Sequence, residues 1–280
     1  MNKYLDEIQL NELKENGFLL IKEVFTEDEV EKLQSYCQQS CSLVSFEKSI
    51  PGDIFDDETL RPILFKKKII KLLHEILGEP PVYFRDSQIH CKPNERVFHS
   101  DSRADYLNPR KSDYPIYRLG VFMQDHSNHS GGIKFRKNSH RRLIFNKLNI
   151  KNLFTGKGFH KDPIVYLNFG KIENAKAKLG DIVIWSLRTE HSGGAVIPKF
   201  FTNLAVIPKF DNFIPNFLKL PEHKNRMSIF YAFGKDGPQL KSYLEYKKNN
   251  INDEEHRQSL SSDVSSLKNL AAELGFKFIY

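Results

Sequence analysis

Cysteine is scarce in this 280-residue chain: Cys37, Cys41 and Cys91 are the full set, and no spacing among them suits a zinc site. Cys37 and Cys41 fall one turn apart on an expected helix, so no disulfide framework is expected, and a reducing cytoplasm fits. Long apolar runs are missing too. None approaches the ~18 residues that a membrane span requires, and residues 1–10 (MNKYLDEIQL) are too polar and acidic for a signal or transit peptide. A soluble, unexported protein is therefore expected. Heptads and a glycine period are absent, which excludes coiled coil and collagen, and a composition of 40% hydrophobic with 12% aromatic residues excludes disorder. Acidic excess is lacking: 42 Lys+Arg against 35 Asp+Glu leave a net charge of +7. That balance favours acidic partners without the density of a dedicated nucleic-acid binder, and it points to an anionic small molecule as substrate.

What is present reads as a β-rich core with helices around it. The apolar stretch 17–21 is an expected strand, and Thr26 with Glu29 is placed to form a capping box that opens a helix over 27–40. A second helix is expected from Pro62 to Leu77, stopped by Gly78, with Lys66, Lys67 and Lys68 on a solvated face. Beyond Gly78 the texture changes to short Val/Ile/Tyr/Phe runs broken by Gly, Pro, Asn and Asp. Strands are expected at 82–91, 115–124, 132–136, 163–169, 181–186, 195–198, 203–207 and 226–233, which suggests a sandwich or jelly roll. The expected organisation is one domain over 1–280: a helical N-terminal segment over residues 1–78, a β-core of about 82–233 and a helical extension 236–280. A short repeat, AVIPKF at 195–200 and again at 205–210, reads as two edge strands ended by prolines.

His99 and Asp101 stand at i and i+2, on the same side of an extended segment, where both reach one cation. His160 and Asp162 repeat the pattern, but they sit in an expected loop. A distant third ligand separates the two pairs: His191 follows the buried strand pattern 181–185, and the 90 residues from Asp101 leave room for the strands between. Two imidazoles and one carboxylate leave three positions open on an octahedral metal, which suits non-haem Fe(II); zinc in the same set would keep one water and give a hydrolase. A buried, hydrogen-bonded His–Asp pair with an unrelated turn histidine is the plain alternative.

At these residues the chain resembles the phytanoyl-CoA dioxygenase family of Fe(II)/2-oxoglutarate oxygenases, from about Gly17 to Phe233. The pieces come in family order: GFLLI at 17–21; QIHCKP at 88–93 followed by His99 and Asp101; YRLGVFMQD at 117–125; Gly131-Gly132 and the turn Asn138-Ser139-His140, with Asn for the family's Gly; GDIVIW at 180–185 leading to His191; and Arg226-Met227-Ser228. The resemblance implies a double-stranded β-helix (jelly roll, cupin-like), mainly β with flanking helices. It implies Fe(II) held by His99, Asp101 and His191, with 2-oxoglutarate and O2 as co-substrates. Arg226 and Ser228 would anchor the far carboxylate of 2-oxoglutarate, and Gln88 would face it. The 35 residues from His191 to Arg226 exceed the family spacing, so an insertion lies there, and it brings Lys199 and Lys209 forward as alternative anchors.

The activity implied is hydroxylation of an unactivated C–H bond with release of succinate and CO2. Asp101 argues against halogenation, because its carboxylate occupies the position a halide would take; desaturation and ring closure stay open. Arg103, Tyr106 and Arg110, with Lys111, follow the metal motif directly and are candidate substrate contacts. The loop 102–115 and the insertion 197–225 are expected to form a lid at one mouth of the barrel. A CoA thioester, a sugar or nucleotide sugar, and a secondary metabolite all fit as substrate. Two other classes stand beside this reading: a non-catalytic jelly-roll binding protein, and a nucleic-acid demethylase. The latter would want a second arginine on the anchor strand, and residues 228–233 supply none.

Overall fold

The computed structural model describes residues 3–43, 53–91, 98–102, 114–141, 171–200, 213–223, 226–250 and 264–279. Along the chain come α1 (Glu7–Asn16), β1 (Phe18–Ile21), α2 (Glu27–Leu43), α3 (Arg61–Leu64), α4 (Lys67–Leu77), β2 (Val82–Cys91) and β3 (Ile116–Phe122). Then follow β4 (Gly132–Arg136), β5 (Ile172–Ala175), β6 (Ile182–Ser186), β7 (His191–Ala195), β8 (Met227–Gly234), α5 (Pro238–Asn250), α6 (Val264–Leu274) and β9 (Lys277–Phe278). The expected strands 163–169 and 203–207 lie outside the described residues.

The strands form two sheets, one of six in the order β1-β6-β3-β8-β2-β9 and one of three in the order β5-β4-β7. Alternation along the large sheet decides what each face meets. Leu119 and Val121 of β3, with Ile229, Tyr231 and Phe233 of β8, turn outward onto a core shared with Leu33 of α2, Leu64 of α3 and Ile69, Ile70 and Leu73 of α4. Phe122, Val183 and Trp185 turn inward and meet Ile133 and Phe135 of the small sheet. Phe122, Ile133 and Trp185 of this second core, with further inward positions of both sheets, line the site.

The capping box of α2 is present as expected: the Thr26 amide donates to Glu29 Oε2 at 2.9 Å and the Glu29 amide to Thr26 Oγ1 at 3.3 Å. Four expectations are corrected. The helix expected from Pro62 to Leu77 is two, because the chain leaves the helical region between Leu64 and Lys67. The lysine triplet is not one solvated face: Lys66 pairs with Glu29 and lies 4.8 Å from the centre of the Phe25 ring, and Lys68 Nζ donates to the Glu23 carbonyl at 2.8 Å. The expected strand 195–198 is displaced to His191–Ala195, a glycine-rich segment without apolar alternation that is fixed by main-chain pairing with β4. Finally, Cys41 at the end of α2 and Cys91 at the end of β2 form a disulfide with Cα atoms 5.6 Å apart, leaving Cys37 as the buried free thiol. Helix periodicity relates Cys37 to Cys41 and says nothing of where β2 ends. Among the described residues no helix is long and apolar enough to cross a membrane.

Candidate metal centre

His99, Asp101 and His191 come together with their ligand atoms all within 4.8 Å of one another. A two-way bridge builds the meeting: the His99 amide donates to the His191 carbonyl at 3.0 Å, and the His191 amide returns to the His99 carbonyl at 2.9 Å. This places both rings on one side, with centroids 4.4 Å apart. Asp101 Oδ1 lies 3.9 Å from His99 Nε2 and 3.7 Å from His191 Nε2. Its other oxygen, Oδ2, accepts from Trp185 Nε1 at 3.2 Å, so Oδ1 is the atom left facing the two imidazoles. His191 Nδ1 lies 3.0 Å from the Thr189 carbonyl, a partner that fixes Nδ1 as the donor and turns Nε2 toward Asp101.

Burial alone would push the Asp101 carboxyl up, but the Arg118 guanidinium above all, with the two histidines beside it, outweighs burial and holds the group below the ordinary carboxylate range. Burial, helped by His99 and Arg118, brings His191 down to about 4, so its imidazole is neutral and has a lone pair to give at neutral pH. Two imidazole nitrogens and one carboxylate oxygen converge, with no fourth protein ligand in that cluster among the described residues, and form a donor set that fits Fe(II) with open positions.

The same cavity continues to a second charged end. It is lined by Gln88 and His90 from β2, Arg118 and Phe122 from β3, Gly193 and Gly194 from β7, and Arg226, Ser228 and Phe230 around β8. Arg226 is buried and donates through a terminal nitrogen to the Gly131 carbonyl. Glycine is required at 131: φ is +108°, and a Cβ there would stand 2.6 Å from Arg226 Cδ. His90 pairs with Ser228 in the register of β2 and β8, and its Nε2 lies 2.8 Å from Gln88 Oε1.

The structure thus brings His99, Asp101, His191, Arg226, Ser228 and Gln88 to one cavity. Lys199 is exposed on the segment after β7 and is not among the lining residues, which removes it as an anchor; Lys209, Arg103, Tyr106 and Arg110 lie outside the described residues. Asn138 takes φ +61°, a left-handed conformation that asparagine tolerates better than most residues with a Cβ. Sequence reasoning missed Arg118 and His126. Arg118 occupies an inward position of β3 between apolar neighbours, and a charge at such a position was the available signal. His126 is buried beside Arg226 and His223, and no motif marks it.

Comparison with solved structures finds relatives in shape. They include the non-heme alpha ketoglutarate-dependent carbocyclase SnoK from nogalamycin biosynthesis, with TM-score 0.57 and 14% identity over 82% of this chain and 84% of that one. The epimerase SnoN in complex with Fe3+, alpha ketoglutarate and nogalamycin RO gives 0.54 and 14% over 82% and 83%. EctD from S. alaskensis with 2-oxoglutarate and 5-hydroxyectoine gives 0.55 and 13% over 84% and 77%. No family model matches the chain, and no curated protein does. At these identities the likeness establishes the fold, a jelly roll with flanking helices.

Proposed function

We propose that the chain is an Fe(II)- and 2-oxoglutarate-dependent oxygenase of the phytanoyl-CoA dioxygenase type, hydroxylating a small, anionic molecule. The observation that carries the reading is one cavity with a His-Asp-His donor set near one end and a buried arginine with a hydroxyl near the other. The structural neighbours held with Fe3+ or 2-oxoglutarate support it.

Each side chain has a role that follows from its place. His99 and His191 give nitrogen donors, and Trp185 holds Asp101 Oδ2 so that the carboxylate offers one oxygen. Arg226, fixed by Gly131, presents the planar fork that a distant carboxylate accepts, and Ser228 adds a hydroxyl from the next strand position on that side. Phe122 and Phe230 wall the space between. With Fe(II) and 2-oxoglutarate bound, the site would supply oxidative decarboxylation coupled to attack on an unactivated C–H bond, releasing succinate and CO2. Hydroxylation is preferred over the epimerase and carbocyclase outcomes of the neighbours because it asks nothing of the cavity beyond its metal and carboxylate ends. Arg103, Tyr106 and Arg110 remain the proposed substrate contacts, and a CoA thioester, a sugar or nucleotide sugar, or a secondary metabolite the proposed substrates.

The test is succinate formation from 2-oxoglutarate in the presence of Fe(II) and O2. His191→Ala is expected to abolish it. Arg226→Lys, which keeps the charge and loses the fork, is expected to raise the KM for 2-oxoglutarate by about tenfold or more with a smaller change in kcat. Succinate formation that survives His191→Ala would contradict the proposal.

A further inference from the structure

A second carboxylate stands behind the centre. Asp86 is buried within β2, and it is there because the strand bulges: Tyr83 pairs with Phe233 and Ser87 with Tyr231, so Phe84, Arg85 and Asp86 stand opposite Ala232 alone. Arg85 takes φ +55° in the middle of this strand, a conformation that costs energy in a residue with a Cβ. Bulges of this kind re-aim a side chain, and here the chain re-aimed is Asp86. On the other side of β8, Arg118 of β3 is the partner of the same Ala232. The alanine is too small to separate them, and Arg118 donates across it to Asp86 Oδ2 at 3.0 Å.

The guanidinium is therefore shared. Its second terminal nitrogen lies 3.3 Å from Asp101 Oδ1, the oxygen that faces the two histidines. The aligned hydrogen bond goes to Asp86, and the contact to Asp101 is an ion pair only. Asp86 is itself fixed from outside the sheet: Tyr243 OH donates to Oδ2 at 2.8 Å and Lys247 Nζ lies 3.2 Å from it, both from α5. An arginine on Oδ1 competes with a metal for the same lone pairs, and a full positive charge beside the site opposes a second cation.

Resting on the iron reading above, we propose that Asp86 is a positioning residue that holds Arg118 back from the metal ligand Asp101. It draws the guanidinium to itself and neutralises its charge, so that Oδ1 stays open to the metal. The strained bulge, the alanine at 232 and the reach of α5 into the sheet all serve this contact. Helix α5 then supports the metal centre through Asp86 and Arg118.

The proposal has a signed test that a merely structural role would not reproduce. Binding of Fe(II), with Co(II) as an air-stable probe, is titrated anaerobically on the full chain. Asp86→Asn is expected to weaken binding by about tenfold to a hundredfold, the range found for groups that orient metal ligands. Arg118→Met alone is expected to bind at least as tightly as the natural chain. Asp86→Asn combined with Arg118→Met is expected to recover the lost affinity, because the competing charge has gone with its restraint. A loss in Asp86→Asn that the second substitution fails to recover, or no loss at all, overturns the proposal. If Asp86→Asn does not fold, Arg118→Met decides: weakened metal binding in that variant overturns it equally. Failure of the natural chain to take up metal in a His191-dependent way would instead sink the iron reading itself.

Discussion

His126 shows what a single buried side chain does to the pH response. Burial, with the charges of Arg226 and His223, holds its imidazole down to about 4, against an ordinary value near 6.5. Below pH 6.5 the unfolded chain takes up a proton that the folded chain refuses until about pH 4, so stability falls as pH drops through that window. From pH 7 to pH 5 this one group accounts for about 2 kcal/mol. Urea unfolding at the two pH values checks it: His126→Leu should show a shallower loss than the natural chain by about that amount, and an equal slope would contradict the assignment. Nothing in the sequence announces this histidine, since its burial and the nearness of Arg226 come only with the fold. The candidate metal ligands could be singled out because His99 and Asp101 are close in sequence and because a strong strand pattern precedes His191, and the fold brings the three into one cluster.

At the scale of elements, the disulfide between the ends of α2 and β2 changes the reading of cysteine chemistry. Under denaturing, non-reducing conditions one thiol, Cys37, should react with a thiol reagent, and all three should react after reduction. Three reactive thiols without reduction would contradict the pairing. The bond spans 50 residues, for which chain entropy gives about 4 kcal/mol, so a reductant should lower the unfolding midpoint of the oxidised protein. Strands 82–91 and 132–136 were legible to the residue because turn formers bound runs of β-branched and aromatic residues. The strands β5 and β7 were not: Ile172–Ala175 and His191–Ala195 carry little apolar alternation, and cross-strand main-chain pairing with β4 defines them. The bulge in β2 was equally hidden, since a register shift exists only relative to a partner strand.

Over the whole molecule, two facing sheets leave a cavity with the His-Asp-His cluster toward one end and the buried Arg226 toward the other, the two ends that the proposed function assigns to a cation and a carboxylate. The helices outside complete it. The polar segment after residue 236 gave no sign of a connection to the centre, yet α5 delivers Tyr243 and Lys247 to Asp86. Fold class was readable from texture and motif order, whereas this long-range charge chain depends on which strands become neighbours. The central claim is that one cavity binds metal and 2-oxoglutarate together, and it makes their binding interdependent. The most direct measurement is anaerobic calorimetric titration of 2-oxoglutarate into the protein with and without Fe(II). The account predicts one molecule bound per chain, strongly favoured by Fe(II), with the metal-dependent gain lost in His99→Ala and overall affinity lost in Arg226→Ala. Binding of 2-oxoglutarate that is indifferent to Fe(II) and to both substitutions would contradict it.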